Sequence, residues 1–144
     1  MSDAFAGVGT RFRRWNSTTT EWQDIAEVKT ISGPGMSRDV IDVTSLDSTG
    51  GWREFIAGFR NAGTVVLNMN FTRDTYDIMW ADFGDDDVQY YEMVLSDPEN
   101  TTIEFTGLVT ELPINVSADD AVTNDATIQI SGVPVINSGA SSGL

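Results

Sequence analysis

Gly63-Thr64-Val65-Val66-Leu67-Asn68-Met69-Asn70-Phe71 alternates with a period of two. Val65, Leu67, Met69 and Phe71 fall on one face, and Thr64, Val66, Asn68 and Asn70 on the other. This is a strand with one face suited to a core and one suited to a polar environment without full charge. Ala121 to Ser131 repeats the pattern, with Val122, Ala126, Ile128 and Ile130 set against Thr123, Asp125, Thr127, Gln129 and Ser131. These two segments make the fold mainly β.

The neighbouring segments follow the same rule. Gly9 to Trp15 is β-favouring, Asn16 to Thr20 is a polar turn, and Trp22, Ile25, Val28 and Ile31 lead to the breaker Ser32-Gly33-Pro34-Gly35. The two runs read as one hairpin. Arg38 to Thr44 is a strand, with Val40, Asp42 and Thr44 on one face. Val88 to Leu95 and Thr101 to Val109 are strands around the turn Asp97-Pro98-Glu99-Asn100. Residues 74–84 read as the one helix, capped by Thr72 or Asp74 and ended by Gly84. Tyr76, Met79, Trp80 and Phe83 form its apolar stripe, expected to pack in the core.

Residues 45–60 show no clear period and read as a long inter-strand loop. The loop carries Leu46, Trp52, Phe55, Ile56 and Phe59 with three glycines. Disordered loops avoid aromatics, so packing is expected to order this one. Residues 1–136 read as a single domain and 137–144 as a flexible tail of linker composition.

Composition excludes whole classes of chemistry. The 144 residues are 40% hydrophobic, enough for a core without a metal or disulfide staple. There is no Cys and no His, so thiolate zinc sites, Cys nucleophiles and Ser-His-Asp catalysis are ruled out. A net charge of −14 disfavours tight binding to nucleic acid or to an anionic membrane surface. No apolar run is long enough to span a bilayer. Met1-Ser2-Asp3-Ala4 lacks the features of a signal peptide, so synthesis in the cytoplasm is expected. The glycosylation matches at Asn16, Asn100 and Asn115 then carry little weight.

Acidic clusters invite a metal reading at Asp85-Asp86-Asp87, at Asp119-Asp120, and at Asp120 with Asn124 and Asp125. None has the spacing of a calcium loop, and solvated turns explain them. No metal or cofactor is expected. Glu92 and Glu104 are the least poor candidates for a paired-carboxylate hydrolase. Arg11, Arg13 and Arg14 form a small basic patch. It is either an exposed face or a set of partners for acidic residues of another subunit.

The ordered features resemble the tail tube (major tail) proteins of lambda-like siphoviruses. Four stretches carry the likeness: Gly7-Val8-Gly9-Thr10-Arg11-Phe12; Ile41-Asp42-Val43-Thr44-Ser45 through Trp52-Arg53-Glu54-Phe55-Ile56-Ala57-Gly58 to Gly63; the helix with Tyr90 and the turn at residues 97–100; and Phe105-Thr106-Gly107-Leu108-Val109. The resemblance implies a β-sandwich or barrel-like subunit with one flanking helix, closing into six-membered rings that stack into a tube. Implied partners are other copies of the chain, a tape-measure protein, and tail terminator and tail-tip proteins. DNA would pass through the lumen without specific binding, and no membrane is involved. Some members carry an extra immunoglobulin-like domain; none is expected in this chain, which stops at Leu144.

On this reading Leu46, Trp52, Arg53, Glu54, Phe55, Ile56 and Phe59 would contact neighbouring subunits or rings. Arg11, Arg13 and Arg14 would supply inter-subunit charge pairs. Asp42, Thr44, Thr64, Asn68, Asn70, Thr123, Asp125, Thr127 and Gln129 are candidates for the lumen face. The alternative is a monomeric β-sandwich binding module for carbohydrate or another ligand, using Trp15, Trp22 or Trp52.

Overall fold

The computed structural model describes residues 10–25, 28–96 and 99–137. The Gly7–Gly9 opening, the first half of the turn at 97–100 and residues 138–144 lie outside them. The elements in chain order are β1 (Arg11–Asn16), β2 (Glu21–Asp24), β3 (Val28–Ser32), β4 (Ser37–Asp42), β5 (Phe55–Asn61), β6 (Thr64–Asn70), α1 (Arg73–Phe83), β7 (Gln89–Val94), β8 (Thr102–Glu111), β9 (Ile114–Asn115) and β10 (Thr123–Asn137).

Seven strands pair in the order β2-β1-β7-β8-β10-β6-β3, with β9 added to the start of β10. The pairings are antiparallel. A flat row of seven strands is about 29 Å wide, from six spacings of about 4.8 Å. Yet its two outer strands, β2 and β3, are joined by only residues 25–27. Such a link spans at most about 14 Å. The sheet must therefore curl until its edges approach, which makes the subunit barrel-like around one core. Phe12, Val65, Leu67, Met69, Tyr91, Phe105, Ala126 and Ile128 are among the buried side chains that fill it.

The register confirms the alternation in β6 and β10. Val65, Leu67, Met69, Ala126, Ile128 and Ile130 are buried. The same alternation carries Asn124 to the inner face, where it is 1% exposed. β10 runs six residues past the sequence-predicted end at Ser131. A register shift between Ser131 and Val135 absorbs Gly132, which has a φ of +88°. Pro134 is tolerated there because β6 pairs only with residues 123–129, leaving that edge of β10 without a strand among the described residues. Gly107 faces this long strand, and a Cβ there would lie 2.6 Å from the Gln129 carbonyl oxygen.

The expected hairpin from Gly9 to Ile31 is divided. Only β1 and β2 pair; β3 crosses to the far edge and pairs with β6. One apolar series thus serves two strands at opposite ends of the row.

The Thr72 hydroxyl accepts the Thr75 N–H at the start of α1, and Gly84 ends the helix. Its stripe is not all core. Met79 is fully buried, but Trp80 and Phe83 are 61% and 47% exposed. The helix instead turns Thr75, Met79 and Asp82 inward. Asp82 accepts two hydrogen bonds from Arg14, at 2.7 and 2.6 Å, and one at 2.8 Å from the Tyr91 hydroxyl. These contacts raise the Arg14 pKa, the hydrogen bond to Asp82 foremost, while burial and then Asp82 raise that of Tyr91. One carboxylate therefore ties the helix to β1 and β7.

Replacing Asp82 with Ala leaves Arg14 and Tyr91 without their acceptor. Breaking a buried pair on one side costs about 3–5 kcal/mol; Arg14 keeps some exposure, so the expected loss is near the lower figure. Urea unfolding followed by tryptophan fluorescence measures it, and an unchanged midpoint would refute the role.

Candidate assembly interface

Among the described residues, β4 and β5 pair only with each other. They form a two-stranded arm outside the curled sheet, with Asp42 opposite Phe55, Ile41 opposite Ile56 and Val40 opposite Ala57. The expected loop over 45–60 is therefore the tip of a hairpin, and Phe55, Ile56 and Phe59 lie on a strand. Period-two patterning is lost because neither face of the arm meets a core.

Packing does not order the tip, contrary to expectation. Polar clamps do. Thr44 Oγ1 accepts the Glu54 N–H at 2.7 Å, Asp42 accepts the Thr44 N–H at 2.8 Å, and the Ser48 hydroxyl donates to Glu54 Oε2 at 2.9 Å. Arg53 pairs with Asp42 at 2.9 Å. The Thr44 hydrogen bonds, and then Arg53, lower the Asp42 pKa. Arg53 and Glu54, expected at a neighbour, are engaged inside the arm. The apolar side chains point away: Leu46, Trp52 and Phe59 are at least 77% exposed, and Phe55 and Ile56 about half. Clustered exposed apolar side chains of this kind are characteristic of interaction surfaces.

Seven of the nine lumen candidates come together. In the β6–β10 register Thr123 faces Asn70, Asp125 faces Asn68 and Gln129 faces Thr64, with Thr127 between. All seven are half-buried on the sheet's outer side. Asn68 Nδ2 donates to Asp125 at 2.6 Å, and Gln129 Nε2 donates to the Gly63 carbonyl at 2.9 Å. Asp42 and Thr44 do not belong with them. They sit on the arm, because β4 never joins the main sheet.

The arginines also divide. Arg13 pairs with Asp24 at 3.1 Å and Glu92 at 3.4 Å, and Arg14 pairs with Asp82. The acids expected on another subunit are thus found, for these two, within the same chain. Arg11 is exposed.

Glu92 and Glu104 stand directly opposite each other on β7 and β8. Glu92 is fully buried and Glu104 nearly so. No substrate can reach them there, so the geometry is that of a structural pair. Trp15 and Trp22 pack edge to face at 5.4 Å, while Trp52 stands apart on the arm, so the three do not form one binding platform. Among the described residues no group of acidic side chains could hold a metal ion, and no helix is long and apolar enough to cross a membrane. Asp85 instead accepts the Asp87 N–H and the Gln89 amide within its own turn.

The lambda phage tail tube protein family matches residues 4–137. This chain belongs to that family. It is a structural tail tube protein and a component of the virion. No curated protein matches it. Its fold is similar to that of several solved structures. One is the tail of an empty gene transfer agent particle, with TM-score 0.79 and 20% identity, covering 94% of this chain and all of that one. Another is the SPP1 tail tube, with TM-score 0.72 and 10% identity over 96% and 82% of the two chains. The baseplate of an anti-feeding prophage matches with TM-score 0.71 and 14% identity over 96% and 98%.

Glu104 gives this tail tube protein a pH dependence with a definite sign. Burial raises the Glu104 carboxyl above its ordinary pKa of 4.5. Its stabilising contribution is complete below that value and fades as pH rises through the higher folded-state pKa. Glu104→Gln therefore gains on the wild type as pH goes from 4 to 8, read as a widening difference in urea midpoints. A difference independent of pH would refute the assignment.

Proposed function

We propose that this tail tube protein closes into six-membered rings that stack through the arm, and that the resulting tube encloses a tape-measure protein and conducts DNA. The observation that carries this reading is the arm itself. It is held in shape by its own polar clamps and exposes five large apolar side chains, Leu46, Trp52, Phe55, Ile56 and Phe59. Full burial against another copy would gain about 1.5–3 kcal/mol for each of Leu46, Trp52 and Phe59, and about half that for the half-buried Phe55 and Ile56. A pre-shaped arm pays little ordering entropy when it docks.

Support for six copies comes from the similar gene transfer agent tail, described with C6 symmetry. A similar tube-terminating cap and a similar baseplate support terminator and tip partners at the tube ends. Thr64, Asn68, Asn70, Thr123, Asp125, Thr127 and Gln129 would line the lumen. This set contains no Lys or Arg and one carboxylate. It therefore offers phosphate no cation to grip, which lets DNA slide. Six copies at −14 each bring −84 formal charges to a ring, adding a repulsive field. The role is structural and involves no catalysis or cofactor.

Leu46→Ser, Trp52→Ser and Phe59→Ser combined should leave the subunit folded, since exposed substitutions usually change stability by no more than about 0.5 kcal/mol each. The same variant should form no tubes by negative-stain microscopy at concentrations where the wild type does. Tubes of normal length and number would rule out the arm as the stacking element.

A further inference from the structure

A groove of about 710 Å³ lies between the base of the arm and the last part of β10. Its apolar lining includes Met36, Val133, Pro134 and Ile136, and Arg38 and Arg60 stand at the same groove. Val133 and Ile136 are 87% and 63% exposed. Beyond Ile130, the edge of β10 on this side has no strand partner among the described residues.

The two arginines break a rule of strand pairing. Arg38 and Arg60 are register partners across β4 and β5, and like charges directly opposite destabilise a ribbon. Both are exposed, and neither has an ion pair among the described residues, unlike Arg13, Arg14, Arg53 and Arg73. In a chain of net charge −14 they form a cationic, apolar-lined site looking for an anionic partner.

A matching surface lies at the other end of the same strand. The turn between β9 and β10 exposes Val116, Asp119 and Asp120. It adjoins Thr123, the first residue of β10, whereas the groove lies along the last. The groove-lining residues Ile130 to Ile136 lie 7 to 13 residues along β10 from Thr123, a path of about 23–43 Å at about 3.3 Å per residue. One end of the subunit thus offers an apolar groove with two cations, and the other a short turn with Val116, Ala118 and two carboxylates.

We propose that the arm-base groove receives the Val116–Asp120 turn of a second copy, with Val116 on the apolar lining and Asp119 and Asp120 against Arg38 and Arg60. The inference rests on the tube reading and gives the stack its polarity. The contact is heterologous, joining unlike ends, so its repetition along β10 extends as an open filament. It also removes the cost of the facing arginines, but only in the assembled state.

Charge reversal tests the contact. Arg38→Glu with Arg60→Glu, and separately Asp119→Arg with Asp120→Arg, should each cut tube yield at least tenfold by negative-stain microscopy. A chain carrying all four substitutions should recover tubes, because the pairing is restored with its signs exchanged. Since the chain has no Cys, Arg60→Cys with Asp120→Cys gives a second measure. Oxidised assemblies should run as a ladder of linked chains on a non-reducing gel. Normal tubes from either double variant, no recovery in the fourfold one, or a gel with monomer alone would overturn the contact while wild-type tubes left the tube reading standing. Wild-type protein that forms neither rings nor tubes would overturn both.

Discussion

The short covalent link between β2 and β3 constrains everything else in the subunit. These strands occupy the two ends of a seven-strand row, yet only residues 25–27 separate them. The row has to bend, and bending creates an inside. Phe12, Tyr91 and Phe105 stack there with centroids 5.7 to 6.1 Å apart. Ile25, within the link, is buried and donates its N–H to the Phe12 carbonyl at 2.8 Å. The curl also decides what is left out. A segment inserted between β3 and β6, two adjacent strands at one edge, can only project, and the arm is that segment.

The helix is fastened to the curled sheet by charge as much as by packing. Met79 supplies an apolar contact, but Asp82 supplies direction, because its two oxygens receive both Arg14 and Tyr91. A carboxylate so placed is costly to bury alone and stable only when every partner is present. Turning Asp82 inward rotates Trp80 and Phe83 outward. Tyr76, Trp80 and Phe83 then stack along the helix surface at 6.3 and 6.4 Å, with Phe71 beside Tyr76 at 5.3 Å.

Strands with one wet and one dry face were legible from the chain alone. β6 and β10 alternate so regularly that seven of the nine polar lumen candidates landed on one sheet face. The arm was not legible as a strand pair, because a ribbon wet on both sides has no reason to alternate. The expectation that packing orders this segment fails, because Glu54, Thr44 and Ser48 supply its order. The Asp82 hub was missed for a related reason. An acid at a buried helix position breaks the apolar pattern, and its partners lie 68 and 9 residues away in sequence.

By itself the chain of residues determined a mainly β domain with one helix, the core faces of β6 and β10, the absence of thiol and imidazole chemistry, and membership of a tail tube family. Those properties follow from local periodicity, composition and the order of motifs, all of which act along the chain. Only the tertiary structure decided that Arg13 and Arg14 pair within the subunit, that Glu92 and Glu104 are sealed from solvent, and that Arg38 and Arg60 face each other beside an apolar groove. Each of those depends on which strands lie side by side. That pairing is chosen by the closure of the whole sheet, which no local pattern encodes.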